Sequence, residues 1–202
     1  MNSNGLYSSI ARSYDTLLTL SGYRLAINHF LRRLPIDTRL AIKVLDAGCG
    51  TGMYSLAIMK HFPNARIAAF DLNEEMVHAF RSKLEKRKEL GARVNLFIGN
   101  VAEPLPAING EFDLIVTAGV LEYVDMRQAV RNLSAHLIAG GYFLNVSVKD
   151  NIFGKLVGSL YGLEPYKTDE KIKAFTSDGF SLVKVMQFPP TREAYLFKKY
   201  PQ

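Results

Sequence analysis

The sequence predicts a doubly wound α/β fold, in which helices cover both faces of a mostly parallel sheet that ends in an antiparallel hairpin. Five apolar runs alternate with stretches whose apolar residues recur at helical spacing. Short loops join these segments, which favours right-handed crossovers between parallel strands. Two further apolar runs, separated only by "PPTR", lie too close together for a crossover and predict the hairpin.

The composition suits one globular domain, because 48% of the 202 residues are hydrophobic. No uninterrupted apolar run reaches about eighteen residues, so we expect no membrane span. The first residues lack the basic flank and apolar block of a secretory signal, which favours a cytoplasmic protein. The single cysteine, Cys49, excludes an internal disulfide framework and a cysteine-built metal cluster, and we expect no metal.

The chain begins with a predicted helical arm. Between residues 6 and 34 the apolar residues fall at helical spacing, with a break near Gly22. Pro35 ends the pattern. Residues 1–35 are therefore predicted to form the arm, and residues 36–202 the core of the domain.

Five strands are predicted next, and helices lie between them. The strands cover residues 41–47, 65–71, 92–100, 112–120 and 141–149. One helix spans about residues 52–61. A second is capped by Asn73 and has two glutamates in its positive first turn. A third follows Asp125 and is expected to continue to the glycine pair that begins at Gly140.

The C-terminal part departs from this alternation. Thr168 is predicted to cap a short helix over residues 169–178. The strands of the hairpin are predicted over residues 179–188 and 193–200. The sheet therefore has seven predicted strands.

Three glycines follow the first strand in the stretch "VLDAGCGTGM". Gly48, Gly50 and Gly52 leave the backbone without side chains at the start of a helix, where N–H groups are free to bind a ligand. Asp71 ends the second strand, 19 residues beyond Gly52, and a carboxylate there can accept hydrogen bonds from both hydroxyls of a ribose. Together the two features indicate a nucleoside site at the carboxyl edge of the sheet.

The spacing alone leaves the nucleoside open. A dinucleotide fingerprint has the pattern G-x-G-x-x-G, and the third glycine here comes one position early. The phosphate-binding pattern G-x-x-x-x-G-K-[ST] does not occur.

Three stretches resemble the class I S-adenosylmethionine-dependent methyltransferases of the small-molecule type. "VLDAGCGTG" is similar to the first motif of that family, and "FDLIVTAGVLEYV" to its strand-four motif. "LIAGGYFLNVSV" is similar to the turn and fifth strand, with Ala139 where a proline is common. The resemblance covers about residues 41–148. It implies the Rossmann-like, seven-stranded methyltransferase fold, with S-adenosyl-L-methionine as cofactor and S-adenosyl-L-homocysteine as product.

The resemblance also implies a set of cofactor contacts. The methionine part of the cofactor is expected over the three glycines, with Asp46 holding its ammonium group and Tyr14 its carboxylate. Packing of the arm on the sheet is the alternative role for Tyr14. Asp71 is expected to bind the ribose. The adenine is expected between Leu72 and Met76, and the sulfonium against Ala118 and Gly119. Asn100 stands where the family usually has an aspartate that accepts from the adenine amino group, and Val101 can offer its N–H to the ring.

Catalysis by this family depends mainly on holding the acceptor close to the methyl group and in line with the sulfur. A general base helps when the acceptor must lose a proton, and the sequence does not single one out. The candidates are Glu122, Tyr123, Tyr161 and Tyr166. The four histidines fall in predicted helices, where a structural role is expected; they are His29, His61, His78 and His136.

The acceptor is expected to be small and partly apolar. Residues 150–167 are rich in apolar side chains and punctuated by glycines, which suits a lid or substrate insert. A short helix packed on the core or forming a dimer surface is the alternative for this segment.

Two other functions stay open. The net charge of +6 suits an RNA or protein methyltransferase. However, the densest basic run, at residues 81–90, contains interleaved glutamates, as solvated helix faces do, so a nucleic-acid partner is not expected. Asn100 and the missing base suit a cofactor-binding protein without catalysis. The oligomeric state is expected to be a monomer or a homodimer.

Overall fold

A computed structural model describes residues 22–106, 108, 110–163 and 165–201, and its centre is a seven-stranded sheet. The strands are β1 (Lys43–Ala47), β2 (Arg66–Asp71), β3 (Val94–Ile98), β4 (Phe112–Ala118), β5 (Leu137–Val148), β6 (Phe180–Phe188) and β7 (Arg192–Lys199). Their order is β3-β2-β1-β4-β5-β7-β6. The first five strands are parallel, and β7 runs antiparallel between β5 and β6. The predicted fold class and the hairpin are confirmed.

Seven α-helices and one 3₁₀ helix connect the strands within the described residues. They are α1 (Tyr23–Leu31), α2 (Met53–His61), α3 (Glu74–Glu85), α4 (Lys88–Gly91), the 3₁₀ helix (Leu121–Tyr123), α5 (Met126–Ser134), α6 (Ile152–Tyr161) and α7 (Thr168–Thr176). The side chain of Asn73 accepts from two N–H groups in the first turn of α3. Asp125 caps α5 by accepting from the N–H of Gln128. The predicted cap at Asn73 and the predicted start of a helix after Asp125 are confirmed.

The sheet separates two hydrophobic cores. Helices α1, α2 and α3 pack on one face, with Phe30, Ile58 and Phe80 among the buried side chains. Helices α5 and α7 pack on the other face. Successive residues of a strand point to opposite faces, so Val44 joins the first core and Leu45 the second. Burial on both faces explains why the parallel strands read as continuous apolar runs.

The helix predicted to continue from Asp125 to the glycine pair is shorter than expected, and β5 begins earlier. Helix α5 ends at Ser134, and the N–H of Phe112 donates to the carbonyl of His136 at 2.8 Å. The ladder with β4 therefore begins before the glycines, and Gly140 lies in an irregularity of β5. The ammonium of Lys199 donates to the carbonyls of Ser134 and Leu137 at 2.8 Å each, which stabilises this ending. The placement of His136 in a helix was wrong.

The cap predicted for the last helix was also wrong by one residue. Helix α7 begins at Thr168, and Lys167 occupies the cap position. A carboxylate oxygen of Glu170 accepts from the N–H of Lys167 at 3.0 Å. The hydroxyl of Thr168 lies 3.0 Å from that of Tyr195, so tertiary contact determines its role.

Part of the helical arm is visible in α1, while residues 1–21, and Tyr14 with them, lie outside the described residues. The proposed boundaries of the arm, core and lid stay predictions. Among the described helices, none combines the length and apolar character needed to cross a membrane.

Candidate active site

The glycine loop after β1 has a backbone that other residues rarely adopt. Gly48, Gly50 and Gly52 have φ angles of 76°, 53° and 82°. The N–H groups of Gly48 and Cys49 both donate to the carbonyl of Phe70 at 2.8 Å, which ties the loop to the end of β2. Left-handed backbone at three alternate positions explains the G-x-G-x-G spacing.

The three glycines have different roles. A Cβ atom on Gly48 would lie 2.2 Å from the side chain of Val120, and one on Gly52 would lie 2.2 Å from the ring of Phe80. A Cβ atom on Gly50 would meet nothing within 4 Å. The outer glycines therefore allow close packing of the protein on itself, whereas Gly50 leaves backbone open to a ligand.

Asp71 lies beside this open backbone. Its Oδ2 accepts from the N–H of Gly50 at 2.7 Å, and its Oδ1 accepts from the N–H of Asn73 at 2.9 Å. Burial raises the pKa of Asp71, and the hydrogen bonds from Asn73, Gly50 and Leu72 lower it in part. Each carboxylate oxygen can accept a second hydrogen bond, so the residue can still bind two hydroxyl groups.

Asp46 lies one strand away, on β1, and is only 2% exposed. The hydroxyl of Ser55 on α2 donates to its Oδ2 at 2.6 Å. Burial raises the pKa of Asp46 to about 6, the Ser55 hydrogen bonds oppose this, and the charge of Asp71 adds to it. A carboxylate with such surroundings gains from a nearby cation.

The residues predicted to hold the adenine lie beyond the ends of β2 and β3. Leu72 is 53% exposed, while Met76 is only 3% exposed. The side-chain oxygen of Asn100 accepts from the N–H of Ala102 at 3.0 Å, so one of its acceptor positions is used locally. Val101 is buried, and its carbonyl accepts from the side chain of Asn132 at 3.1 Å.

The end of β4 completes the edge. Ala118 is half-buried, and the N–H of Gly119 donates to the carbonyl of Val146 at 3.0 Å. Val120 follows and packs against Gly48, as the close approach at that glycine shows. The 3₁₀ helix then carries Glu122, whose Oε1 accepts from the N–H of Val148 at 3.1 Å.

Glu122 differs from the other three candidates for a general base. Its Oε2 is buried and has no hydrogen-bond partner among the described residues. The hydroxyl of Tyr166 donates to the carbonyl of Val124 at 3.2 Å, which fixes it against the 3₁₀ helix. Tyr123 is half-buried, and the side chain of Tyr161 lies outside the described part of the structure.

A cluster that the sequence did not predict lies near Asp46 and Glu122. The guanidinium of Arg192 lies 4.3 Å from the ring centroid of Tyr23, and this ring packs edge-on against Tyr54 at 6.0 Å. Burial raises the pKa of Tyr23 to about 12, although Arg192 lowers it. Because β7 runs antiparallel to β5, its first residue, Arg192, pairs with Val148 at the carboxyl edge. The predicted hairpin could have indicated this placement.

A buried ion pair lies behind the same edge. The ammonium of Lys171 on α7 donates to Glu193 on β7 at 2.7 Å, and both side chains are buried. The hydroxyl of Tyr195 donates to the same carboxylate oxygen at 2.9 Å, and Lys171 also donates to the carbonyl of Val148 at 3.3 Å. The two charges satisfy each other.

Positive charge collects in a groove between α1, α2 and the end of α3. This groove has a volume of about 630 Å³, and Arg24, Lys60, Lys83 and Arg87 line it together with apolar side chains. None of the described residues predicted to hold the cofactor lines it. The basic groove therefore lies beside the predicted cofactor site and not in it.

Helix α6 covers most of the predicted lid. Asn151 caps it, and its apolar side chains Ile152, Phe153 and Leu156 are exposed. A Cβ atom on Gly154 would overlap the carbonyl of Lys149, at 1.8 Å, so this glycine allows close packing within the segment. The lid role stays a prediction.

The described histidines and acidic groups form no metal site. No group of three His, Cys, Asp or Glu side chains among the described residues could hold a metal ion. The rings of His29 and His61 pack edge-on against Phe188 and Phe62. The packing of these two rings fits the structural role expected of His29 and His61.

Residues 44–141 match the family model described as a methyltransferase domain. This range includes the glycine loop, Asp71, Asn100 and the whole 3₁₀ helix.

Relatives and solved structures agree with this match. The chain is similar to malonyl-(acyl-carrier protein) O-methyltransferase 2 of Ilyobacter polytropus, with 25% identity over 80% of this chain and 60% of the relative. It is 30% identical to 2-methyl-6-phytyl-1,4-hydroquinone methyltransferase 1, chloroplastic, of Oryza sativa subsp. japonica, over 74% of this chain and 44% of the relative. The chain thus spans less than two thirds of either curated relative.

A solved structure shows the same fold. Magnesium protoporphyrin IX methyltransferase from Synechocystis PCC 6803, with bound SAH, has a TM-score of 0.72 and 16% identity. The alignment covers 89% of this chain and 84% of that one. The predicted Rossmann-like methyltransferase fold is confirmed.

The packing role of Gly52 can be tested by Gly52→Ala. The new methyl group would overlap the fully buried ring of Phe80, and overpacking of this kind costs about 1–3 kcal/mol. The matched control is Gly179→Ala, because Gly179 has the same φ of 82° and nothing within 4 Å of the added atom. Urea unfolding should show a larger loss for G52A. Equal losses would contradict the packing role.

The pKa of Asp46 predicts a pH-dependent stability. The value of about 6 in the folded protein lies above the roughly 3.9 of an unfolded aspartate, so the folded state binds the proton more tightly. Ionisation of Asp46 therefore costs stability as the pH rises from about 4 to 6, by up to about 3 kcal/mol. In urea unfolding, Asp46→Asn should be more stable than the wild type at neutral pH, and the difference should shrink towards pH 4. A difference that does not vary with pH would refute this explanation.

Proposed function

Because residues 44–141 of this chain belong to the methyltransferase-domain family, we propose that the protein transfers a methyl group from S-adenosyl-L-methionine to a small, partly apolar acceptor. S-Adenosyl-L-homocysteine is the other product. The observation that carries the proposal is the open backbone of Gly50 beside the carboxylate of Asp71, 2.7 Å from N–H to Oδ2.

The charge of the predicted cofactor site supports S-adenosyl-L-methionine over a dinucleotide. Asp71, Asp46 and Glu122 follow or lie on β2, β1 and β4, and burial raises the pKa of all three. One buried and two half-buried carboxylates along this edge repel the pyrophosphate of a dinucleotide. They favour a ligand that carries a cationic ammonium and a cationic sulfonium.

The chain's residues fit the parts of this cofactor. Asp71 would accept from the ribose hydroxyls, Gly50 would lie against the methionine part, and Asp46 would face the ammonium. An ammonium beside Asp46 recovers the stability that its ionisation costs in the free protein. The exposed side chain of Leu72 gives the adenine an apolar surface to cover.

The remaining predicted residues are assigned to parts of the cofactor in the same way. Met76 would pack against the adenine, and Asn100 and Val101 would lie at the edge of the ring. Ala118 would lie beside the sulfonium. Tyr14 would meet the carboxylate of the methionine part. Since one acceptor position of the Asn100 oxygen is taken by Ala102, the second one would serve the adenine amino group.

When bound, the cofactor supplies a methyl group on a good leaving group. The chain's part is to orient the acceptor in line with the sulfur and to exclude water. The exposed apolar face of α6 follows β5 at the same edge of the sheet and suits contact with a partly apolar acceptor.

The relatives support the acceptor class. Their names specify a malonyl-(acyl-carrier protein) and a phytyl-hydroquinone as acceptors, and we extend to this chain only the coarser class of small organic acceptors. A cytoplasmic location and a monomeric or homodimeric state stay predictions of the sequence.

The ribose contact can be tested by calorimetry with S-adenosylhomocysteine and NAD⁺. The wild type should bind the first and not the second. Asp71→Ala should weaken S-adenosylhomocysteine binding by about 10²-fold or more, because charge-assisted hydrogen bonds contribute about 1.5–3 kcal/mol each. Asp71→Asn, which keeps an acceptor for Gly50, should lose about tenfold.

Asp37→Ala is the matched control, because Asp37 is exposed and precedes β1 at the opposite edge of the sheet. It should bind S-adenosylhomocysteine as the wild type does. Thermal unfolding of each variant separates loss of binding from loss of the fold. Unchanged affinity in Asp71→Ala, or preference of the wild type for NAD⁺, would overturn the proposed function.

A further inference from the structure

We propose that Glu122 is the general base of this site, and that its acceptor carries a hydroxyl group that is neutral at the working pH, such as a phenol. The proposal rests on the proposed function, because it needs a methyl donor over the glycine loop. It adds a catalytic residue and a chemical class of acceptor.

Backbone N–H groups of Glu122 itself and of Val148 interact with the Glu122 carboxylate and lower its pKa in part. Oε1 accepts from the N–H of Val148, which ties the 3₁₀ helix to the end of β5. Oε2 is buried without a hydrogen-bond partner among the residues that the structure describes. Leaving a buried acceptor without a donor costs free energy, so such atoms in folded proteins call for a functional explanation. The hydroxyl group of an acceptor would supply the missing donor.

The position of Glu122 in the sheet order matches the position of the acceptor. Asp71 and Gly50 place the sugar and the methionine part beyond β2 and β1. Strand β4 is the next neighbour of β1, and β5 follows. In-line displacement requires the acceptor on the far side of the methyl group from the sulfur. Glu122 joins the ends of β4 and β5, the next strands along the sheet from the expected position of the methionine part.

Charged and titratable groups from several elements face Glu122. Burial is the largest influence and raises its pKa. Lys171 of α7 lowers the pKa and Glu193 of β7 raises it, and these two residues form their own ion pair. Tyr23 of α1 and Tyr166, which precedes α7, also sense the charge of Glu122. A desolvated carboxylate is a stronger base than an exposed one.

The transfer balances with Glu122 as the proton acceptor. The acceptor oxygen forms a bond to the methyl carbon while its O–H bond breaks, and Oε2 of Glu122 takes the proton. The carbon–sulfur bond breaks, and its electron pair remains on sulfur. The products are a methyl ether and a neutral thioether, and the proton on Glu122 then leaves to solvent.

A neutral hydroxyl suits this base better than a carboxylate acceptor does. A carboxylate is already ionised at neutral pH, so it needs no base and would be repelled by Glu122. The neighbouring tyrosines are weaker candidates for the base. Burial raises the pKa of both Tyr23 and Tyr166, so their hydroxyls stay protonated.

The test compares the wild type, Glu122→Gln and the control Glu111→Gln, whose side chain is exposed in the loop before β4. Each full chain is assayed with S-adenosylmethionine and a series of phenols, from a nitrophenol to unsubstituted phenol. A carboxylic acid and a thiol complete the panel. Calorimetry with S-adenosylhomocysteine reports the cofactor site separately. The amide oxygen that E122Q introduces can still accept from the N–H of Val148, which preserves the anchor.

The loss of rate in E122Q should depend on the acidity of the phenol. With unsubstituted phenol, which is largely un-ionised at about pH 8, kcat should fall about 10²-fold or more. With the nitrophenol, which is largely ionised there, the loss should be much smaller. Raising the pH should recover the E122Q rate with the weaker acids. S-Adenosylhomocysteine affinity should not change, and E111Q should behave as the wild type.

Three results would overturn the proposal: an equal loss across the phenols, no loss at all, or methylation of the carboxylic acid or the thiol but of no phenol. If E122Q does not fold, the wild-type pH profile decides. The wild-type rate with unsubstituted phenol must rise with the ionisation of a group whose pKa lies below that of the phenol. A rate that rises only with the ionisation of the phenol itself contradicts the role of Glu122. Failure of the proposed function would give a different result from failure of the Glu122 proposal, because the wild type would then not bind S-adenosylhomocysteine.

Discussion

The hydrogen bond from the N–H of Gly50 to Asp71 determines the geometry of the whole site. It joins the loop after β1 to the end of β2 and turns the carboxylate towards open backbone. Because β1 and β2 are parallel neighbours in a fixed register, both chain segments leave the sheet at the same edge. A ligand that contacts one of them therefore contacts the other, as the crevice rule for parallel sheets predicts.

A group of desolvated carboxylates is the second property of this edge, where Arg192 also lies. Asp46, Asp71 and Glu122 are each partly desolvated, while the buried cation Lys171 is paired with Glu193. An arrangement of this kind weakens the empty protein and favours a cationic ligand. The same desolvation makes Glu122 a base, so cofactor selection and proton removal have a common physical origin in this account.

The sequence predicted the fold well because its strongest signals are local. Alternating apolar runs, the cap at Asn73 and the helix start after Asp125 are properties of short segments, and the structure confirms them. The start of β5 was predicted incorrectly because it depends on the ladder with β4 and on Lys199, which is distant in sequence. The cap of α7 differs because Thr168 contacts Tyr195 on another strand.

The candidate site also combines features that local sequence predicts with features that depend on tertiary contacts. The spacing of the glycines indicates a ligand loop, but the sequence does not reveal that Gly48 and Gly52 pack against Val120 and Phe80 while Gly50 stays open. Arg192 enters the site only through the antiparallel pairing of β7. The most direct measurement is a crystal structure with S-adenosylhomocysteine. We expect both ribose hydroxyls within about 3 Å of Asp71 and the ligand against Gly50. A ligand bound elsewhere, with Asp71 contacting only backbone N–H groups of the protein, would contradict the account.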